Sequence, residues 1–246
     1  MNNIYIYNET LVSMLNLIVF LINNNITPNN IKNDNYTPTL FDNLIKLDLS
    51  LNDKVLEKID KLILKYIYDV FISDDKNKEI IIFYFYKNYL KYGIKVINMF
   101  NLKCVINVRK ISKYVRHESH KYKGFIRFRE LKNNILYAEI EPINNILFLV
   151  SNHFKNRLKN EYWIIKDNKY NLISIYDKNS FKILNDIYLK DINFSNDEKD
   201  TQNMWKTFYN TIGIKERKND RCRMNFMPKR YWKYILEMDD ENEKNS

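Results

Sequence analysis

Residues 125–142, FIRFRELKNNILYAEIEP, restrict the fold more than any other stretch. Ile126 and Phe128 alternate with Arg127 and Arg129, and Leu136, Ala138 and Ile140 alternate with Tyr137, Glu139 and Glu141. A period of two marks strands, and a register slip of one residue would turn every apolar side chain to the wrong face. The two runs therefore close only through an odd-length turn, such as Lys132-Asn133-Asn134. Phe128 then lies opposite Ala138 and Arg127 opposite Glu139. One face of the hairpin is dry, and the other carries Arg127, Arg129, Glu139 and Glu141.

The flanking segments extend this unit. A helix is expected over 102–122, with Cys104, Val108, Ile111, Val115 and Tyr122 as its apolar stripe and Gly124 as its stop. Pro142 ends the strand, and NNILFLVSNHFKNRL reads as a helix capped by Asn144 or Asn145. YWIIKD, LISIYD and FKIL read as short antiparallel strands. A helix near 197–212 follows an acidic loop, and Pro228 opens a last helix, PKRYWKYILEM. Before residue 100, IYIY (4–7) is a strand, Asn8-Glu9-Thr10 caps the next helix, and an Asn-rich loop covers 23–40. Two or three helices then run over 41–92. EIIIFYFYKNYLKYG fits a buried helix or a strand, with Gly93 as a helix stop. Only three glycines and four prolines interrupt 246 residues. The expected class is α+β. Residues 1–100 form a mostly helical region, 101–238 an antiparallel sheet with a packed helix and closing helices, and 239–246 an acidic tail.

Charge is concentrated. The chain has 40 basic and 30 acidic residues, net +10. Residues 109–129 carry +7 and residues 214–234 carry +6, which leaves −3 for everything else. Each window holds four arginines. A general lysine bias of the kind an AT-rich genome produces would not confine the excess to two windows or favour arginine. The pattern points to an anionic partner.

Within the first window, Glu118 falls on the apolar stripe of its helix. It is either a carboxylate held by a neighbour such as Arg127 or Arg129, or the solvated end of a fraying helix. His117 and His120 lie off the stripe. HESH is one residue short of the HExxH zinc spacing, so no metal site is expected. His153 lies between Ile146 and Val150 with Arg157 one turn on. That pair suits either a half-buried histidine bonded to a backbone carbonyl or an anion site. In the second window, Lys229, Arg230 and Lys233 share one face of the expected last helix. Tyr231 shares the apolar face with Met227, Ile235 and Met238. Trp232, Tyr231 and Tyr234 would stack on bases if exposed and would be core otherwise. The candidate catalytic groups are Glu118, His120 and His153. The candidate anion-binding groups are Lys123, Arg127, Arg129, Arg157, Arg217, Lys229, Arg230 and Trp232.

Two cysteines exclude a disulfide framework and a cysteine metal cluster, so a reduced, cytoplasmic protein is expected. The apolar run 11–22 is too short to cross a bilayer and lacks the features of a signal peptide, so no membrane partner is expected. The sequence has no Walker loop, GxGxxG, GxSxG or CxxxCxxC, and no cofactor is implied.

ESHKYKGFIRFRE…EPINNILFLVSNHF…R, then W…FYNTIGIKERKN, then MPKRYWKYILEM, resemble a bacterial family of probable DNA metabolism proteins. The resemblance covers most of residues 1–238 and is strongest over 115–232. Matching positions include Glu118, His120, Lys123, Gly124, Phe125, Arg127, Phe128, Arg129 and Glu130. Further on, Glu141, Pro142, His153, Phe154, Arg157, Trp163, Trp205, Glu216, Arg217 and Asn219 match, as do Pro228 to Trp232. Tyr122 and Asp220 depart from the pattern. The resemblance implies a setting in DNA repair or modification, beside a radical-SAM protein and a uracil-DNA glycosylase-like protein. The expected function is an accessory DNA-binding protein. The alternatives are an enzyme using a pocket of Glu118, His120, His153, Arg127 and Glu216, or a scaffold that docks acidic proteins.

Overall fold

The computed structural model describes residues 2–47, 52, 54–185, 193–212, 214, 217 and 219–238. The chain forms two compact units, Met1–His117 and Glu118–Ser246, and the boundary falls inside one helix. The expected tail at 239–246 and most of the loop before residue 196 lie outside the described residues.

In the first unit, β1 (Asn2–Tyr7) is the centre of a parallel sheet, flanked by β2 (Asn30–Asn33) and β3 (Asp42–Lys46). Thr10 accepts a hydrogen bond from the Ser13 N–H at 3.1 Å and starts α1 (Leu11–Asn23). Helix α1 buries Met14, Leu15, Leu17, Ile18 and Leu21. The short α2 (Lys54–Glu57), α3 (Lys61–Phe71) and α4 (Lys78–Tyr92) complete the layer, so the ambiguous segment after Lys78 is helical. It stops at Gly93, whose φ of +60° is a left-handed conformation open to glycine. Two expectations change: the Asn-rich loop contains β2, and β3 opens the region read as helical. Both are edge strands that pair on one side only. Each needs few inward apolar residues (Ile31 in β2, Ile45 in β3), too few to show a period.

Helix α5 (Lys103–Phe125) follows. Its stripe is as expected: Val108 and Val115 are fully buried and Tyr122 nearly so. Among the described residues no helix is long and apolar enough to cross a membrane.

The second unit is a five-stranded sheet ordered β4-β5-β6-β7-β8, with α6 (Leu147–Arg157) packed on β6, β7 and β8. The strands are β4 (Arg129–Glu130), β5 (Leu136–Ile140), β6 (Trp163–Asp167), β7 (Leu172–Tyr176) and β8 (Phe181–Asn185). The hairpin has the expected register: Arg129 pairs with Tyr137 and Glu130 with Leu136. Its three-residue turn closes through Asn134 at φ +59°. The expected all-antiparallel arrangement is corrected at one step, because β5 and β6 run parallel. The α6 connection between them is the crossover that parallel neighbours require. The wet face is also only partly wet. β5 is an inner strand, and Tyr137 is fully buried beside Ala138 and Ile140.

Two further corrections concern caps and the closing segment. The N-cap position of α6 is Ile146, not Asn144 or Asn145, since Asn144 is engaged elsewhere. After α7 (Asn196–Ile212) comes α8 (Asp220–Phe226), capped by the Asn219 side chain. Pro228 then opens 3-10 turns at Lys229–Tyr234 and Leu236–Met238 in place of the expected α-helix. The tighter winding rotates the side chains off the amphipathic pattern and buries Tyr231 and Trp232 together.

Candidate anion-binding site

Glu118 is 1% exposed, so the helix does not fray there. Its carboxylate accepts from the Ile143 N–H (2.9 Å), the Asn144 N–H (3.0 Å) and the Asn144 side-chain amide (2.6 Å). Its cationic partner is Arg230 at 3.5 Å, not Arg127 or Arg129. The next turn of α5 joins the same segment through Tyr122 and Phe125, whose rings meet Tyr231 at 5.0 and 5.3 Å. Glu118 thus ties α5 to the Ile143–Asn144 loop and the 229–234 turn. The two basic windows meet here, but through a neutralised pair and an aromatic core.

The same loop is held from its other side. Lys169 Nζ and the Tyr170 hydroxyl both donate to the Ile143 carbonyl, at 2.5 and 2.7 Å. Their turn is fixed by Asp167, whose Oδ1 accepts from the Lys169 and Tyr170 N–H groups. Asp167 is fully buried and its Oδ2 has no hydrogen-bond partner. Burial pushes its pKa up to about 6; the two N–H bonds oppose that rise, and the Glu118 charge adds to it.

A second group of charges has a different character. His120 and Lys123 are neighbours at i and i+3 on α5, and His153 and Arg157 are neighbours at i and i+4 on α6. The charges of Lys123, Arg157 and His120 all act on His153. Burial comes first and these cations second in lowering its pKa below the ordinary histidine value. His153 Nε2 is shielded from solvent and has no hydrogen-bond partner, so the backbone-bonded reading finds no support at that nitrogen. His120 and Arg157 are exposed. An orphaned polar atom costs about 1–3 kcal/mol, and an orphan facing only cations fits a place where an anion binds.

The remaining candidates divide by what they touch. Arg129 pairs with Glu139 at 3.2 Å and lies over the Phe194 ring at 4.4 Å. Arg127 lies over the Trp205 ring at 5.6 Å, with its Nε buried and without a partner. Arg230 is held by Glu118 and donates to the Tyr231 hydroxyl. Lys229 is exposed, with Nζ 5.9 Å from the Trp232 ring centre, and Arg217 is exposed. Glu216 lies outside the described residues. Trp232 is corrected as a stacking residue: it is 4% exposed, donates through Nε1 to the Met227 carbonyl and lies under the Arg223 guanidinium. Sequence reasoning missed Asp167, for which the only signal was an Asp closing an apolar strand before a polar turn. It also left Trp205 unexamined, although its helix carries the apolar side chains Met204, Trp205, Phe208 and Ile212 at helical spacing.

No curated protein and no solved structure matches the chain. One family does match, over residues 75–237, a span that holds every residue of the candidate site. The chain belongs to the family described as Domain of unknown function (DUF4130).

Proposed function

We propose that this chain is an accessory DNA-handling protein of a repair or modification system, acting beside a radical-SAM enzyme and a uracil-DNA glycosylase-like protein. It grips a backbone phosphate with His120, Lys123, His153 and Arg157. The observation that carries this reading is the His153 side chain, whose Nε2 is buried without a hydrogen-bond partner and which lies in the field of Lys123, Arg157 and His120. A phosphate brought to this cluster would meet Lys and Arg donors and would favour the protonated imidazole. The uneven basic charge supports a polyanion, and the resemblance to DNA metabolism proteins supports DNA.

The enzyme reading uses Glu118, His120, His153, Arg127 and Glu216 in one pocket. Glu118 already holds three N–H donors and Arg230. It serves better as a structural tie than as a proton acceptor, because a general base needs a lone pair within reach of its proton.

Fluorescence anisotropy with labelled DNA at low salt tests the proposal. Affinity is expected to fall with salt at a log–log slope near −0.9 per phosphate contacted on duplex. Arg157→Ala is expected to weaken binding roughly tenfold and to reduce that slope by about one contact. Affinity is expected to rise as pH falls through the histidine range, and that rise is expected to be smaller in His153→Ala. No affinity for duplex or single strands at low salt removes the reading.

A further inference from the structure

We propose that α7 presents a stacking platform, Trp205 and Phe208, that takes an unpaired nucleobase beside the phosphate grip. This rests on the proposed function and narrows it to single-stranded or unpaired DNA.

The three tryptophans differ sharply in exposure. Trp163 and Trp232 are 0% and 4% exposed, whereas Trp205 is 37% exposed and Phe208, one turn on, is 52% exposed. Their ring centres are 5.9 Å apart with planes tilted by 37°, so the two rings are neighbours without being stacked face to face. The Arg127 guanidinium lies over the Trp205 ring at 5.6 Å. An aromatic ring backed by a guanidinium is the arrangement that binds π-faced, electron-rich ligands, and every base has such a face. Arg127 Nε, buried without a partner, calls for an acceptor of the kind a base edge or phosphate supplies.

Position decides between a base and a second apolar helix. The next residue after Arg127 is Phe128, whose ring meets Phe154 edge-on at 4.9 Å. Phe154 in turn lies against His153 at 5.0 Å. Two consecutive residues therefore bridge the platform to the cationic cluster. A strand running along them alternates a stacked base with a gripped phosphate, which is how single strands are held. A partner helix would use the apolar side chains of α7 but would gain nothing from Arg127 or from the cations beyond it.

The buried state of the other two tryptophans makes the test direct. Intrinsic tryptophan fluorescence of the full chain is titrated with oligodeoxythymidylate and with a hairpin duplex of equal phosphate number. The expected result is strong quenching by the single strand and little by the duplex. Trp205→Ala and Phe208→Ala should each weaken oligodeoxythymidylate binding roughly tenfold while changing duplex affinity by less than about twofold. Trp205→Phe should keep most of the affinity and lose the quenching. Thermal melts of each variant matched to the parent confirm an intact fold. Unchanged single-strand affinity with duplex binding intact overturns the platform and leaves the proposed function standing. Loss of binding to both nucleic acids in the unmodified chain removes both. If the two alanine variants abolish self-association in sedimentation while binding DNA as the parent does, the face belongs to a protein contact and the platform is overturned.

Discussion

Glu118 and His120 stand two residues apart near the end of α5 and have opposite surroundings. Glu118 is buried, with every charge around it answered: three N–H donors and Arg230 hold one carboxylate. His120 is exposed and adds its charge to Lys123 and Arg157 around His153. Several of the basic residues in the two windows are likewise answered by a carboxylate, buried or exposed. Arg129, Arg223, Arg230 and Lys233 each pair with a carboxylate of the same unit, as Arg116 does with Asp69 in the other. Net charge is therefore a poor guide to a binding surface; what matters is where the fold gathers like charges around a buried polar atom, as it does at His153.

The strongest way to break this contrast is to remove the tie. Glu118→Ala leaves Arg230 without its carboxylate and the Ile143 and Asn144 N–H groups without an acceptor. Water can reach Arg230, which is 36% exposed, but the N–H groups left without an acceptor cost about 1–3 kcal/mol each. Urea unfolding should show a loss of that size, with DNA binding by the remaining folded fraction retained. A loss under about 1 kcal/mol would mean that Glu118 is not the tie described.

Asp167, at the end of β6, sharpens the comparison, because it is a buried carboxylate that supports the same Ile143–Asn144 loop from its other side and has one oxygen without a hydrogen-bond partner. Its folded pKa of about 6 lies above the ordinary 3.8. The protonated form is thus favoured in the folded state. The stability it contributes is fully present below about pH 4 and is lost as pH rises through about 6, by roughly 3 kcal/mol in all. Asp167→Asn keeps the acceptor for the Lys169 and Tyr170 N–H groups but cannot ionise. Its stability relative to the parent should rise between pH 4 and 8 by about that amount. A flat difference across this range would show that Asp167 ionises without penalty.

How much of this was legible follows from the range of the interactions. The hairpin register was readable because alternation and an odd turn are local, and Asn134 closes that turn. The α5 stripe was readable, and it already placed Glu118 among buried neighbours. Its partner was not readable, since Arg230 is more than a hundred positions away and reaches Glu118 through a 3-10 turn that periodicity reads as a helix. The pairing of His153 with Arg157 was visible as i, i+4. Their meeting with His120 and Lys123 depends on how α6 packs, which no short window records. The parallel β5–β6 step has a local sign, the helix between two strands, but strand pairing itself is a long-range property that short alternating runs do not record.

The smallest expected effect tests the other end of the contrast. Lys233 and Glu141 form a pair at 2.8 Å, as short as the contacts of Glu118, and its bond to Lys233 holds the Glu141 pKa below its ordinary value. Their side chains are 64% and 44% exposed. Water already solvates both charges, so breaking the pair strands neither. Lys233→Ala should change unfolding free energy by less than about 0.5 kcal/mol, and less still at high salt. The Tyr234 hydroxyl, which also donates to Glu141, remains in place to hold that carboxylate. The shorter pair, at 2.8 against 3.5 Å, would then be worth far less than the longer one, because Glu118 is buried and also holds three N–H donors. A loss comparable to that of Glu118→Ala would instead make the 229–234 turn depend on its surface charges, and the worth of an ion pair would no longer follow its exposure.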